Sequence, residues 1–265
     1  MKPCFSTCIP KKFLMSEKQV SHLLKFFPVQ NNGRGRPTIS PEAILQGIYY
    51  LLRTGCQWNA LPKCFGPSST IHENFKKLVQ ANAFQGAWHH ALEQYDRFVG
   101  LNLKEQSFDC AHTKAPLGGR ATGISPVDRR KLGTKRSILT DKNGIPLAIG
   151  VAAANTHDSK ICISTVSNIV YNRQPPFKTI ELDAAFDAAH IRKSLVDLGY
   201  HCRISPNKRR GSVVRGEKLK FRWTVERTHS WINRFRRLLI RWDKGLDNFL
   251  AMLHLACQII VFREI

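Results

Sequence analysis

Three carboxylates stand where they could do chemistry. Asp109 and Asp183 lie at the ends of strand-like runs, and Glu226 sits inside the most basic stretch of the chain. Opening a phosphodiester near neutral pH needs a water or hydroxyl made nucleophilic and a leaving oxygen stabilised. Two divalent ions about 3.5–4 Å apart do both for an in-line displacement. Mg²⁺ takes hard oxygen ligands, commonly one or two carboxylates plus the substrate phosphate. Three carboxylates suffice to share such a pair, and no histidine or cysteine is required. Asp187 shares the run LDAAFDAAH with Asp183 and competes for the second place. The strand end favours Asp183 and leaves Asp187 as a helix cap. Glu226 has a plainer alternative, an ion pair with Arg222 four residues earlier.

The charge balance says what such a site would face. Lys+Arg number 41 against 19 Asp+Glu, a formal net charge of +22. That excess costs self-repulsion in a compact chain and points to a polyanionic partner, nucleic acid ahead of an acidic membrane surface. Arg129-Arg130-Lys131, Lys208-Arg209-Arg210 and Arg234 to Arg241 form the densest clusters. The eight cysteines contain no C-x-x-C pair, which argues against a zinc ribbon or a thioredoxin-like site, and they read as reduced, mostly buried thiols. No apolar core follows Met1-Lys2, so no signal peptide is expected. The apolar stretch from Phe249 to Phe262 is short for a bilayer and reads as a buried terminal helix. No membrane partner is expected, and the location read from these features is cytoplasmic, on the nucleoid.

The elements that must position the carboxylates follow from periodicity and turn chemistry. Residues 1–37 are polar and irregular, ending in NNGRGRP, and read as a flexible basic arm or a solvated loop. Arg34 and Arg36 are its candidate DNA contacts. Residues 38–102 read as helical. Ser40-Pro41 opens a helix that Gly55 stops, a second follows Ser68 or Ser69, and a third runs from about Phe84 to Phe98. A helix-turn-helix unit and a generic bundle fit equally. From residue 103 the pattern turns α/β: a strand at 107–110, a long basic loop over 114–136, and apolar runs joined by Lys142-Asn143-Gly144. Asn-Gly between apolar runs is a strong hairpin signal. A helix over 160–170, a strand at 178–183, a helix over 187–198 and a strand at 200–204 complete the layer. Residues 221–242 read as one helix, with Val225, Thr228, Ile232, Phe235 and Leu239 facing the core and Arg222, Glu226, Asn233 and Arg237 on a neighbouring stripe.

Five strings in this order resemble the DDE transposases of bacterial insertion sequences, most closely the family numbered five. SFDCAHTKAPLGG (107–119) is similar to the first-aspartate segment, and TGISPVDRRKLGTKRSILTDKNGIPL (122–147) to the loop and hairpin after it. ANTHDSK (154–160), LDAAFDAAHIR (182–192) and RWTVERTHSWINRFRRLLIRWDK (222–244) resemble the Asn-x-His-Asp stretch, the second-aspartate segment and the glutamate helix. RGRPTISPEAILQGIYYLLRTGCQWNALPKCFG (34–66) resembles the N-terminal helical region.

The resemblance implies an RNase H-like mixed sheet flanked by helices over 103–265, with Asp109, Asp183 and Glu226 as metal ligands and Mg²⁺, or Mn²⁺, as cofactor. It implies helices over 38–102 that recognise terminal inverted repeats in double-stranded DNA, and a homodimer on DNA. It further implies hydrolytic nicking at element ends and attack of the freed 3′-hydroxyl on target DNA. Arg222 matches the basic residue of the glutamate signature; Leu219 and Asn233 replace its tyrosine and lysine, and Arg234 or Arg237 could supply the phosphate contact. His157 and His229 have packing or loop readings beside catalytic ones. Trp223, Trp231 and Trp242 read as core or interface aromatics, with base stacking as the alternative. Two further readings are a DNA-binding protein of this fold without catalysis and a general RNase H-like nuclease.

Overall fold

The computed structural model describes residues 5, 8–28, 39–171, 173, 175–205 and 219–265. Arg34, Arg36 and the Lys208-Arg209-Arg210 cluster lie outside these residues.

Helices open the chain. α1 (Glu17–Leu24) starts at a capping box in which Ser16 and Gln19 satisfy each other's backbone N–H groups. The arm expected over 1–37 is therefore structured in this part: Val20 and Leu23 are buried, and Gln46 pairs with both the N–H and the carbonyl of Met15. α2 (Pro41–Thr54) has Ser40 as its cap and ends at Gly55 with φ 71°. α3 (Ser68–Gln80) and α4 (Ala83–Phe98) follow. The connector after α2 contains two single 3₁₀ turns, Trp58–Ala60 and Lys63–Phe65.

β1 (Glu105–Lys114), β2 (Gly123–Ile124), β3 (Leu132–Asp141) and β4 (Pro146–Ala153) come next. The basic loop is thus shorter than its composition implies, because β3 already begins at Leu132. α5 (Asp158–Ser167), β5 (Lys178–Leu182), α6 (Ala189–Asp197) and β6 (Tyr200–Ile204) continue the layer. β3 pairs antiparallel with β1 and with β4, while β5 runs parallel to β1 and β6 parallel to β5. The resulting order β4-β3-β1-β5-β6, three antiparallel strands followed by two parallel ones, is an RNase H-like mixed sheet, with β2 a short addition beside β3.

α7 (Trp223–Asn233) and α8 (Arg236–Leu239) replace the single long helix expected over 221–242. The chain breaks at Phe235, which is extended (φ −90°, ψ 97°), and then returns to the end of β1, where Arg241 N–H bonds to the Lys114 carbonyl at 2.7 Å. α9 (Leu246–Arg263) is long and apolar enough to cross a membrane by length and composition. Here it is a core helix packed along α4, with Leu253, Cys257 and Ile259 fully covered. One hydrophobic cluster runs from Phe5 to Val261, and the Trp88 indole N–H bonds to the Pro146 carbonyl at 3.2 Å. The helical region and the sheet therefore share a core.

Candidate active site

Asp109 lies in the middle of β1, on the face covered by α7. Ser107, two residues earlier and on the same face, bonds through its hydroxyl to the Phe221 carbonyl at 3.3 Å. β1 and β5 run side by side with Ser107 opposite Glu181. Two residues further along each strand stand Asp109 and Asp183, so parallel pairing brings the two aspartates level. Asp183 directly follows β5 and caps the 3₁₀ turn Ala184–Phe186 by accepting the Ala184 N–H.

α7 brings the third carboxylate. Its docking is set at both ends of its first turns. Glu181, fully buried, accepts the N–H groups of Lys220 at 2.8 Å and Phe221 at 2.9 Å. On the other side the Thr228 hydroxyl donates to the Gly144 carbonyl at 2.6 Å, and Arg227 donates to the Asn143 carbonyl. Gly144 is required there twice: its φ is 79°, and a Cβ would approach Arg227 and Thr228 to 3.0 Å.

The three carboxylates meet on one guanidinium. Arg222 Nη2 lies 3.4 Å from Asp183 Oδ2 and 3.7 Å from Asp109 Oδ2, and Nη1 lies 3.0 Å from Glu226 Oε1. The ion pair foreseen between Arg222 and Glu226 exists, but as one arm of a three-way arrangement. Asp109 is the floor, with its side chain 20% exposed; Asp183 and Glu226, at 46% and 52%, form an open rim. Burial pushes the Asp109 carboxyl up to about 6, against the lowering effects of the Cys110 N–H and Arg222. Among the described residues no three His, Cys, Asp or Glu side chains are already gathered into a cage for an ion. The trio surrounds Arg222 instead.

Residues 106–260 match the transposase DDE domain family, and residues 15–88 match a family described as "Putative transposase of IS4/5 family". The chain belongs to the DDE transposases of insertion sequences. A curated relative, "Putative transposase for insertion sequence element IS402" of Burkholderia cepacia, is 35% identical over 156 residues, 56% of this chain and 72% of the relative. The corresponding protein of element IS6501 from Brucella ovis is 29% identical over 133 residues, 49% of this chain and 98% of the relative. Among solved structures, a Mos1 mariner paired-end complex with Mn is similar at 12% identity and a TM-score of 0.30, over 90% of this chain and 83% of that one.

The remaining candidate residues of the transposase separate into exposed and buried groups. Arg129, Arg130 and Lys131 are exposed at a turn where Arg129 and Arg130 both have positive φ, 47° and 59°. Arg234 is exposed, with its carbonyl accepting from Arg53 at 3.4 Å. Arg237 is a correction. The helix break turns it inward, where it is 5% exposed and pairs with Asp243 at 3.0 Å, so it is a structural residue rather than a DNA contact. Arg241 is fully buried and bonds the carbonyls of Asp243, Lys244 and Ala121.

Asn233 accepts from the buried Arg136 of β3. Asp187 pairs with Arg192 at 2.8 Å, and the cap position of α6 belongs to Ala188. His157 caps α5 and bonds Ser159 at 2.8 Å. Burial holds His229 down at about 3, with Arg136 acting in the same direction, so it is a neutral packing imidazole. Trp223 and Trp242 are exposed rather than core, and the Arg227 guanidinium lies between Trp223 at 4.8 Å and Trp231 at 4.7 Å. Among the seven described cysteines only Cys162 and Cys257 are buried.

Sequence reasoning missed Glu181. The signal was present: it is two residues before Asp183 in a strand, hence on the same face, and it is a carboxylate flanked by Ile180 and Leu182.

Proposed function

We propose that Asp109, Asp183 and Glu226 hold Mg²⁺, with Mn²⁺ as a substitute, and that the transposase cuts DNA at the ends of its element and joins them to a target. The observation that carries this reading is the convergence of the three carboxylates, from two strands and a helix, on the single positive charge of Arg222. An all-oxygen donor set suits a hard cation. The arrangement already tolerates positive charge at its centre.

Bound divalent ions supply Lewis acidity to the scissile phosphate and lower the pKa of the attacking water. The protein's own groups prepare that chemistry. Asp109, raised to about 6 by burial, is still mostly ionised near neutral pH and presents its oxygens from the floor of the site. Asp183 and Glu226 flank the side open to solvent, where a phosphate can enter. Arg222 is placed to turn from the carboxylates to a phosphate oxygen, which its planar guanidinium binds through paired hydrogen bonds.

The helices over 38–102 read the terminal inverted repeats of double-stranded DNA. Arg129, Arg130, Lys131 and Arg234 contact its backbone. The hydrolysed ends expose 3′-hydroxyls that attack target DNA in the same site, and joining two ends requires a homodimer on DNA.

The test is a Mg²⁺-dependent assay on a duplex carrying an element end, with Glu226→Gln as control. The wild type is expected to give nicked and joined products, and the variant neither, with DNA affinity within about twofold of wild type. Nicking without joining would reduce the transposase to a nuclease in this assay. Nicking by Glu226→Gln would remove Glu226 from the site.

A further inference from the structure

A single residue, Phe221, is held through both of its backbone polar groups by the two strands that carry the proposed metal-holding aspartates. Its N–H is accepted by Glu181 of β5 at 2.9 Å. Its carbonyl accepts from the Ser107 hydroxyl of β1 at 3.3 Å. Ser107 and Glu181 are register partners, and each stands two residues before the aspartate of its own strand. Strand alternation puts anchor and aspartate on one face, so β1 and β5 each present an anchor and a carboxylate in the same direction. Arg222 is the next residue along the chain from Phe221, and Glu226 lies one helical turn beyond it.

We propose that Glu181 is a positioning residue of the transposase, a buried carboxylate that sets where Arg222 and Glu226 stand relative to Asp183. This rests on the reading of Asp109, Asp183 and Glu226 as metal-holding carboxylates. The chemistry of the anchor supports the assignment. Glu181 is fully buried, accepts a second N–H from Lys220 at 2.8 Å, and has Arg203 Nη1 3.8 Å from Oε1. A buried carboxylate is a costly way to fill space, since an apolar side chain of that volume is often as stable or more so. Its two oxygens do what an apolar residue cannot: they hold two consecutive backbone N–H groups ahead of α7, and charge-assisted bonds of this kind are short and directional. Glutamine keeps the shape but has one acceptor oxygen, so at least one of the two N–H groups loses its partner. Residues that orient metal ligands typically change metal affinity or activity by 10–100-fold when altered.

The experiment titrates Mn²⁺ into metal-free protein, followed by electron paramagnetic resonance, for wild type, Glu181→Gln, Ser107→Ala, Asp183→Asn and Asp96→Asn. Asp96 is the matched structural control. It also accepts a backbone N–H, that of Leu101 at 3.0 Å, but at the end of α4. Melting temperature and amide exchange across 219–222 are read on the same samples. Glu181→Gln is expected to speed exchange at Lys220 and Phe221 and to weaken Mn²⁺ binding by about 10–100-fold. It should lower kcat for nicking by a similar factor with little change in KM for DNA. Ser107→Ala, which removes one hydroxyl and keeps the fold, should weaken Mn²⁺ binding less but in the same direction. Asp96→Asn should lower the melting temperature and leave Mn²⁺ affinity unchanged.

The proposal is overturned if Glu181→Gln and Ser107→Ala bind Mn²⁺ as wild type does while Asp183→Asn does not. It is also overturned if Asp96→Asn loses as much affinity as Glu181→Gln. If Asp183→Asn itself binds normally, the reading of the site fails and the positioning role goes with it.

Discussion

The segment 222–242 carries three arginines on each side of Phe235, and the two sides put theirs to different use. In the first half, Arg222 and Glu226 are turned toward solvent-accessible carboxylates and take part in the site. In the second half, Arg237 and Arg241 are turned inward, one paired with Asp243 and the other binding three carbonyls. The difference is made by the break at Phe235. An unbroken helix would have carried Arg237 along the stripe of Glu226 and Asn233. The break rotates it into the core and lets the chain rejoin β1. Basic residues in a sequence are therefore not equivalent to basic surface, and the +22 charge overstates what DNA can meet.

The largest effect that sharpens this contrast is on stability. Arg237→Ala removes one member of a buried pair and leaves Asp243 without its cation, a loss of about 3–5 kcal/mol. Arg234→Ala, three residues away and exposed, should change stability by no more than about 0.5 kcal/mol. Chemical denaturation of both variants measures this, and equal losses would erase the distinction between the halves. The same two proteins should reverse order in DNA binding. If Arg234 contacts a phosphate, its loss flattens the slope of log affinity against log salt by about 1. Arg237→Ala, where it folds, should keep the wild-type slope.

A second effect concerns the floor of the site. The folded-state value of Asp109, about 6, lies above the ordinary 3.8. A carboxyl raised in this way favours the folded state most below about pH 4 and loses that advantage as pH rises through about 6. Its ceiling is about 3 kcal/mol. Asp141, also pushed up to about 6 by burial, contributes in the same direction. In metal-free protein the Asp109→Asn variant should therefore lose less stability than wild type between pH 4 and 6.5, and should be the more stable of the two above pH 6. Superimposable pH profiles of the two proteins would mean that Asp109 is not held in this environment.

Much of the fold was legible because it rests on local signals. Asn143-Gly144 marked the hairpin, and strands were legible around Asp109 and up to Asp183, although β1 continues to Lys114 and so holds Asp109 in its middle rather than at its end. Gly199, with φ 79°, stopped α6 as its type implied. What was not legible depends on distant partners. The apolar spacing Val225, Thr228, Ile232, Phe235 continues straight through the helix break. The break is held from outside: the guanidinium groups of Arg53 and Arg263 lie over the Phe235 ring at 5.4 and 5.9 Å, and Gly55 leaves room for Arg236. α1 was hidden in a polar stretch because it buries only two apolar residues, Val20 and Leu23, beside Gln19 and His22, and starts at a capping box rather than showing a long apolar stripe. In the site, the carboxylates were identifiable by type and position. Their meeting on Arg222, and the hold of Glu181 on the entry to α7, depend on strand register and could not be read from spacing.

The central claim is that Asp109, Asp183 and Glu226 surround one cation-binding point. Iron-directed cleavage tests it most directly. Fe²⁺ is exchanged into the site in place of Mg²⁺, peroxide and ascorbate generate hydroxyl radicals locally, and the backbone cuts are mapped by mass spectrometry. Cuts confined to the chain near residues 109, 183 and 226, suppressed by excess Mg²⁺ and lost in Asp183→Asn, are the expected result. Cuts at one of these segments without the others, or a pattern that Asp183→Asn leaves unchanged, would contradict it.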